Sequence, residues 1–127
     1  MEPVYLFDLA SRQSTWLSVR QATIAENVSQ SDTPGYAAKE VEPFRDVLDK
    51  TQLGMAATSA GHIGGDFRNA RDIGTEEAEP WQVSASKNSV SLEQEMIKSG
   101  EVARAHQLNT AVVQKFHGLM LASLGKR

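Results

Sequence analysis

The helix breakers of this chain are gathered in its middle. Three of its four prolines and six of its nine glycines fall between Thr33 and Lys87. Proline removes a backbone donor and clashes with the preceding turn, while glycine loses more chain entropy on ordering than any other residue. Two long flanks are therefore free to be helical, and the centre is not. With 127 residues in all, the chain has enough length for one domain and one modest core.

In the N-terminal flank Leu6, Leu9, Leu17, Ile24 and Val28 recur at roughly helical spacing, with Phe7, Ala10, Trp16 and Ala25 widening the stripe. Pro3 suits a first turn, where its missing N–H costs nothing. Pro34 disfavours helical geometry at Thr33, so the pattern predicts a helix over 4–32, roughly 40 Å long. The C-terminal flank, 88–124, reads as the clearest helix. Asn88, Ser89 and Ser91 are candidate N-caps, and Ser91 with Gln94 has the spacing of a capping box. Glu93 and Glu95 then favour the positive end of the helix dipole, and Gly125 supplies a stop. Two apolar stripes are expected on this helix. One holds Ala105, Leu108, Val112, Phe116 and Leu119; the other holds Met96, Gly100, Ala103, Val113, Met120 and Leu124. Two stripes require more than one neighbour.

The middle, 33–87, is expected to be irregular, with room for a short helix or a β-hairpin. Val41, Phe44, Val47 and Leu48 are helically spaced, and Pro43 confines such a helix to a start near itself. Gly61 to Gly65 reads as a flexible turn, Glu76, Glu77 and Glu79 as a solvated acidic patch, and Trp81 to Val83 as a brief strand. The expected fold class is mainly α: one domain over 1–127, its two terminal helices packed as an antiparallel coiled-coil pair. Such a hairpin has little core of its own, so the uncovered stripe calls for another chain.

Composition and motifs exclude most chemistry. The absence of cysteine removes disulfides, thiolate metal sites and a cysteine nucleophile, and a net charge of −3 gives no surplus for phosphate backbones. His62, His106 and His117 lack metal-ligand spacing, and the Gly61–Gly65 run lacks the Lys-Ser/Thr of a phosphate loop. Serine is abundant but forms no nucleophile elbow. A non-enzyme is expected, without metal or cofactor, without nucleic acid and without membrane insertion. No stretch reaches the ~20 apolar residues of a membrane span. The N-terminus has neither the basic region nor the apolar run of a cleavable signal. Trp16 and Trp81 are candidate interface anchors, with packing in a helix seam as the plainer alternative.

One segment is more telling: Arg20 to Tyr36. Pro34-Gly35 fits the two central positions of a type II turn, the proline fixing φ and the glycine accepting a positive φ. The whole string resembles the N-terminal signature of bacterial flagellar rod and hook proteins, Asn-x-x-Asn-x-x-Thr-Pro-Gly-Tyr with an Arg seven residues upstream. Arg20, Asn27, Thr33, Pro34, Gly35 and Tyr36 match, and Gln30 stands in place of the second Asn. Phe44-x-x-x-Leu48 resembles a pattern that follows the turn in the FlgB family of proximal rod proteins. The run from Asn88 to Met96 resembles that family's Asn-Asn-Val-Asp-Leu-Asp-x-Glu-Met, and His106 stands where the family tends to carry Tyr. The resemblance covers both ends of the chain and leaves Gly54 to Gly74 unassigned.

What the resemblance implies is a structural subunit of the flagellar rod, the periplasmic drive shaft. Such subunits are exported through the flagellar type III apparatus without signal cleavage, and their terminal helices form an inner coiled-coil layer. The implied partners are further copies of the chain, other rod subunits, and the inner (MS) ring or an export-gate adaptor. On this view Arg20, Asn27 and Gln30 fix register, and Thr33, Pro34, Gly35 and Tyr36 redirect the chain. Ile24, Phe44, Leu92, Met96, Leu108, Val112, Phe116 and Leu119 are the expected apolar interface residues. The alternative from a different class is a cytoplasmic helical adaptor or chaperone of a secretion system.

Overall fold

A computed structural model describes residues 3–52 and 73–125. It is mainly helical: α1 (Pro3–Ser29), β1 (Lys39–Val41), α2 (Phe44–Gln52), β2 (Thr75–Glu77) and α3 (Leu92–Ser123). The two long helices, of 27 and 32 residues, pack together. The Gly61–Gly65 turn and His62 lie outside the described residues.

α1 closes three residues short of the expected end. The Gln30 amide reaches back to the carbonyls of both Glu26 and Asn27, and those of Ser31 and Thr33 each bond to the carbonyl three residues before. The last turn is thus tightened ahead of Pro34, which denies Thr33 helical geometry. α3 starts at Leu92 rather than 88, because Asn88 and Ser89 spend their groups on tertiary bonds. Its cap is Ser91, whose hydroxyl accepts from the Gln94 amide. The other half of a capping box is not made: the Gln94 side chain donates instead to the carbonyl of Glu79 at 3.2 Å. Gly125, at φ +69°, bonds to the Ala122 carbonyl beyond the far end.

Moving along α1 from Asn27 to Phe7, the partners on α3 climb from Glu95 to Phe116. Asn27 meets Glu95, Arg20 meets Glu101, the Ala10 carbonyl accepts from Asn109 at 3.0 Å, and the rings of Phe7 and Phe116 meet edge-on at 5.7 Å. Between these points Leu17, Ile24 and Val102 form the buried core, with Trp16 and Ala105 against it.

The seam on α3 corrects the expected stripes. Its buried and half-buried side chains include Glu95, Lys98, Val102, Ala105, Asn109, Val113, Phe116 and Met120, spaced by three and four. Leu108, Val112 and Leu119, expected beside Ala105 and Phe116, turn outward and are 67%, 42% and 68% exposed. At about 100° per residue a straight helix carries its seam from Asn109 to Val113 and Phe116, and Val112 is left on the flank.

β1 and β2 pair antiparallel, Lys39 opposite Glu77 and Val41 opposite Thr75. The acidic segment is solvent-exposed as expected, and its Thr75–Glu77 also supplies the second strand. Trp81 to Val83, expected as a brief strand, is not one, since β1 already has its partner in β2. α2 follows Pro43, whose carbonyl accepts from the amides of Asp46 and Val47. Phe44 lies 5.8 Å from Trp16, ring to ring, and the Trp16 indole donates to the Glu42 carbonyl at 2.8 Å.

Candidate assembly site

Thr33-Pro34-Gly35-Tyr36 forms the turn its residues dictate. The Tyr36 amide bonds back to the Thr33 carbonyl at 3.3 Å, and Gly35 sits at φ +75°. A Cβ at Gly35 would meet nothing within 4 Å, so glycine is required there by backbone conformation and not by crowding. The Gly35 amide reaches the Ser86 carbonyl at 2.9 Å, tying the turn to the loop ahead of α3.

Asn27 is fully buried at the end of α1, and every hydrogen-bonding position of its amide is used. Its nitrogen donates to the Lys39 carbonyl at 2.7 Å and to Glu95 Oε2 at 3.2 Å. Its oxygen accepts from the Lys39 amide at 2.9 Å and from the Tyr36 hydroxyl at 3.2 Å. One side chain thus joins α1, the turn, β1 and α3. It also fills the free edge of β1, whose outward N–H and C=O would otherwise be orphaned.

Asn88 does the same from the opposite side. Its amide nitrogen donates to the carbonyls of Gln30 at 2.8 Å and Thr33 at 2.7 Å, and its oxygen accepts from the Val90 amide. Ser89 completes the joint, its hydroxyl taking the Ala38 amide at 2.8 Å. Gln30 contributes through its backbone, while its side chain accepts locally from the Thr33 hydroxyl at 2.7 Å.

Charges continue the joint along the seam. Arg20 pairs with Glu40 at 3.2 Å and with Glu101 at 3.4 Å, and its guanidinium lies 5.7 Å over the Trp16 ring. Lys98 pairs with Glu40 at 3.1 Å and with the buried Glu95 at 3.2 Å. Burial alone would raise the Glu40 carboxyl. The hydrogen bonds from Arg20, Lys98 and the Val41 amide outweigh it and hold the group below the ordinary carboxylate range. Glu42 is held low by Lys50 and by the Gly74 amide. Burial, with Glu26 nearby, pushes the Tyr36 hydroxyl up. Breaking one member of such a network leaves the others with unpaired buried charge.

The expected site residues separate into two groups. Arg20, Ile24, Asn27, Gln30, Thr33, Pro34, Gly35 and Tyr36 come together with Phe44 nearby, at the end where α1, β1 and α3 meet. Leu92, Met96, Leu108, Val112 and Leu119 face outward, and Phe116 is half-buried against Phe7. The spacing of apolar residues did not disclose Glu40, Glu95, Lys98 and Glu101. The available signal was their register: Glu95 and Lys98 occupy the two seam positions before Val102 and Ala105. Among the described residues no group of three or more His, Asp or Glu could hold a metal ion, and no helix is long and apolar enough to cross a membrane.

No protein-family model matches the chain. Two long helices joined by a polar lock carry the Arg20 to Tyr36 string inside it, and a near full-length relative puts the chain among flagellar basal-body rod proteins. Within that class it belongs to the FlgB family of basal-body rod proteins. The flagellar basal body rod protein FlgB of Agrobacterium fabrum is 40% identical to it over 136 aligned positions, covering 98% of this chain and 96% of that relative.

Proposed function

We propose that this chain is a structural subunit of the flagellar basal-body rod, assembling with other axial proteins into the periplasmic shaft that carries motor torque. One observation carries the proposal: the residues of the family string are the residues of the lock. Arg20, Asn27, Thr33 and Tyr36 each hold another element by a side-chain or backbone bond, and Pro34 and Gly35 shape the turn between them. The near full-length relationship to a FlgB protein supports the same conclusion.

On this proposal α1 and α3 act as an antiparallel coiled-coil pair in the inner layer of the shaft, its register set by Asn27 and the Arg20–Glu40–Lys98–Glu95 charges. The outward apolar residues of α3 are covered by neighbouring subunits, and their burial offsets the chain entropy lost on assembly. Partners are further copies of the chain, other rod subunits, and the inner (MS) ring or an export-gate adaptor. The subunit travels through the type III apparatus unfolded and without signal cleavage.

The test is an in-frame deletion, read by electron microscopy of isolated basal bodies and by swimming in soft agar. Loss of rods and filaments, restored by the intact gene, is the expected result. Persistent basal bodies and swimming would overturn the proposal. A product confined to the cytosol would point to an adaptor or chaperone instead.

A further inference from the structure

The surface left over from the lock has two unlike parts. Along α3, Arg104, Leu108, Val112, Lys115 and Leu119 follow one another by three and four, all exposed, on the flank away from α1. Arg104 and Lys115 enter no ion pair among the described residues. Around the first turns of α3 a groove of about 490 Å³ is lined by Glu40, Ala78, Glu79, Trp81 and Lys98, among others. Trp81 is 63% exposed there, an unusual position for so large an apolar ring, and no ring contact covers it among the described residues. Glu76, Glu77 and Glu79 stand exposed beside it.

The two surfaces are complementary. One is an apolar ridge edged by two cations outside any ion pair among the described residues; the other is an open groove with an exposed indole beside the exposed Glu79, its Glu40 already paired with Arg20 and Lys98. A guanidinium laid on an indole between carboxylates is a favourable arrangement, and the molecule already uses it once, with Arg20 over Trp16 beside Glu40. Arg and Trp are also the side chains that most often carry the binding energy of an interface. The two surfaces are different patches of one chain, so ridge-to-groove pairing that does not close on itself is heterologous and repeats from copy to copy.

We propose that the Arg104–Leu119 face of α3 seats on the Trp81 groove of a neighbouring copy of this chain, head to tail. The proposal rests on the rod assignment, for it is in the rod that copies are held side by side. The ridge residues fill the groove mouth, and Arg104 or Lys115 meets Trp81 and Glu79.

The absence of cysteine makes the test clean. Pro80→Cys and Ala111→Cys place thiols beside the groove and beside the ridge while leaving Trp81, Arg104 and Leu108 in place. Basal bodies from cells carrying both substitutions are treated with a short bis-maleimide and run on a denaturing gel. The expected result is a ladder of dimers, trimers and higher species, with neither single variant forming dimers. A second variant, Arg104→Glu with Lys115→Glu in that background, should abolish the ladder, and adding Glu77→Lys with Glu79→Lys should restore it.

Monomer alone, in basal bodies that contain the chain, would overturn the head-to-tail contact and leave the rod assignment standing. Dimers from either single variant would show a surface mating with itself and overturn it too. A ladder indifferent to charge reversal would remove the complementarity on which the contact is argued. Absence of the chain from basal bodies would instead overturn the rod assignment.

Discussion

Replacing Asn27 by Ala tests the lock at its centre. The substitution deletes four hydrogen bonds at once, two to the backbone of Lys39, one to Glu95 and one from Tyr36. Tyr36 is half-buried, so its hydroxyl can turn to water. The Lys39 N–H and C=O lose their partner on the edge of β1 away from β2, and the buried Glu95 carboxylate keeps only Lys98. Leaving a buried polar group unpaired costs about 1–3 kcal/mol. The two Lys39 groups left unpaired give about 2–6 kcal/mol for Asn27→Ala. Small domains are stable by only about 5–15 kcal/mol in all, and the thin core of Leu17, Ile24 and Val102 argues for the low end. Asn27→Asp should be no milder, because it keeps the size but loses the donor and sets a second carboxylate against Glu95. The assay is urea unfolding of the purified chain followed by circular dichroism, run beside soft-agar swimming of the same variants. Tyr36→Phe, alone and with Asn27→Ala, completes a double-mutant cycle; coupling of at least about 0.5 kcal/mol is expected between groups in contact. An Asn27→Ala chain that unfolds within about 0.5 kcal/mol of the parent, the range of an ordinary surface change, would refute the lock.

Gly35→Val should impair swimming through backbone strain alone, by about 1–2 kcal/mol, whereas Gly35→Asn should be tolerated better because asparagine visits the left-handed region; equal effects of the two on the melting temperature would count against this. Glu40 and Glu42 are both held below the ordinary carboxylate range, so the unfolded chain binds protons first as pH falls. Their contribution is complete above the unfolded value of about 4.3 and is lost as pH drops through the folded values, so the urea midpoint should fall on acidification below about pH 5, less steeply in Glu40→Gln. Dilute purified protein should show less circular dichroism than two full helices, because α3 beyond Asn109 buries no side chain and frays, with hydrogen exchange slowest around Ile24 and Val102; equal protection along the whole of α3 would contradict it.

Much of this arrangement was legible in the residues. Breakers concentrated in the middle left two helices at the ends, and Ser91, Pro34 and Gly35 marked a cap and a turn by their local chemistry. The Arg20 to Tyr36 string singled out one half of the lock through its resemblance to a family signature; by local chemistry alone it predicts a helix end and a turn, because Arg20 and Asn27 reach partners far along the chain. The other half was hidden. Glu95 and Lys98 are charged residues at seam positions, and hydrophobic periodicity counts such residues as outward. Their burial depends on Glu40 and Asn27 arriving from elsewhere in the chain, a tertiary fact. The same bias drew Leu108, Val112 and Leu119 into a stripe with Ala105 and Phe116. Pairing of β2 with β1 was equally out of reach, since three exposed residues in an acidic run carry no strand pattern of their own.

The hairpin is unequal from end to end. Near Asn27 its seam is buried and cross-braced. Toward Asn109 and beyond, Ala10, Ser11 and Ser14 face Thr110, Val113 and Gln114 across an open groove. From Asn109 to Gly125 no α3 residue is buried. In shape this is a braced hub carrying two lightly packed tines. On the proposed role in a shaft, the tines are the part free to settle at the angle a neighbour demands, and the hub is the part that keeps its shape.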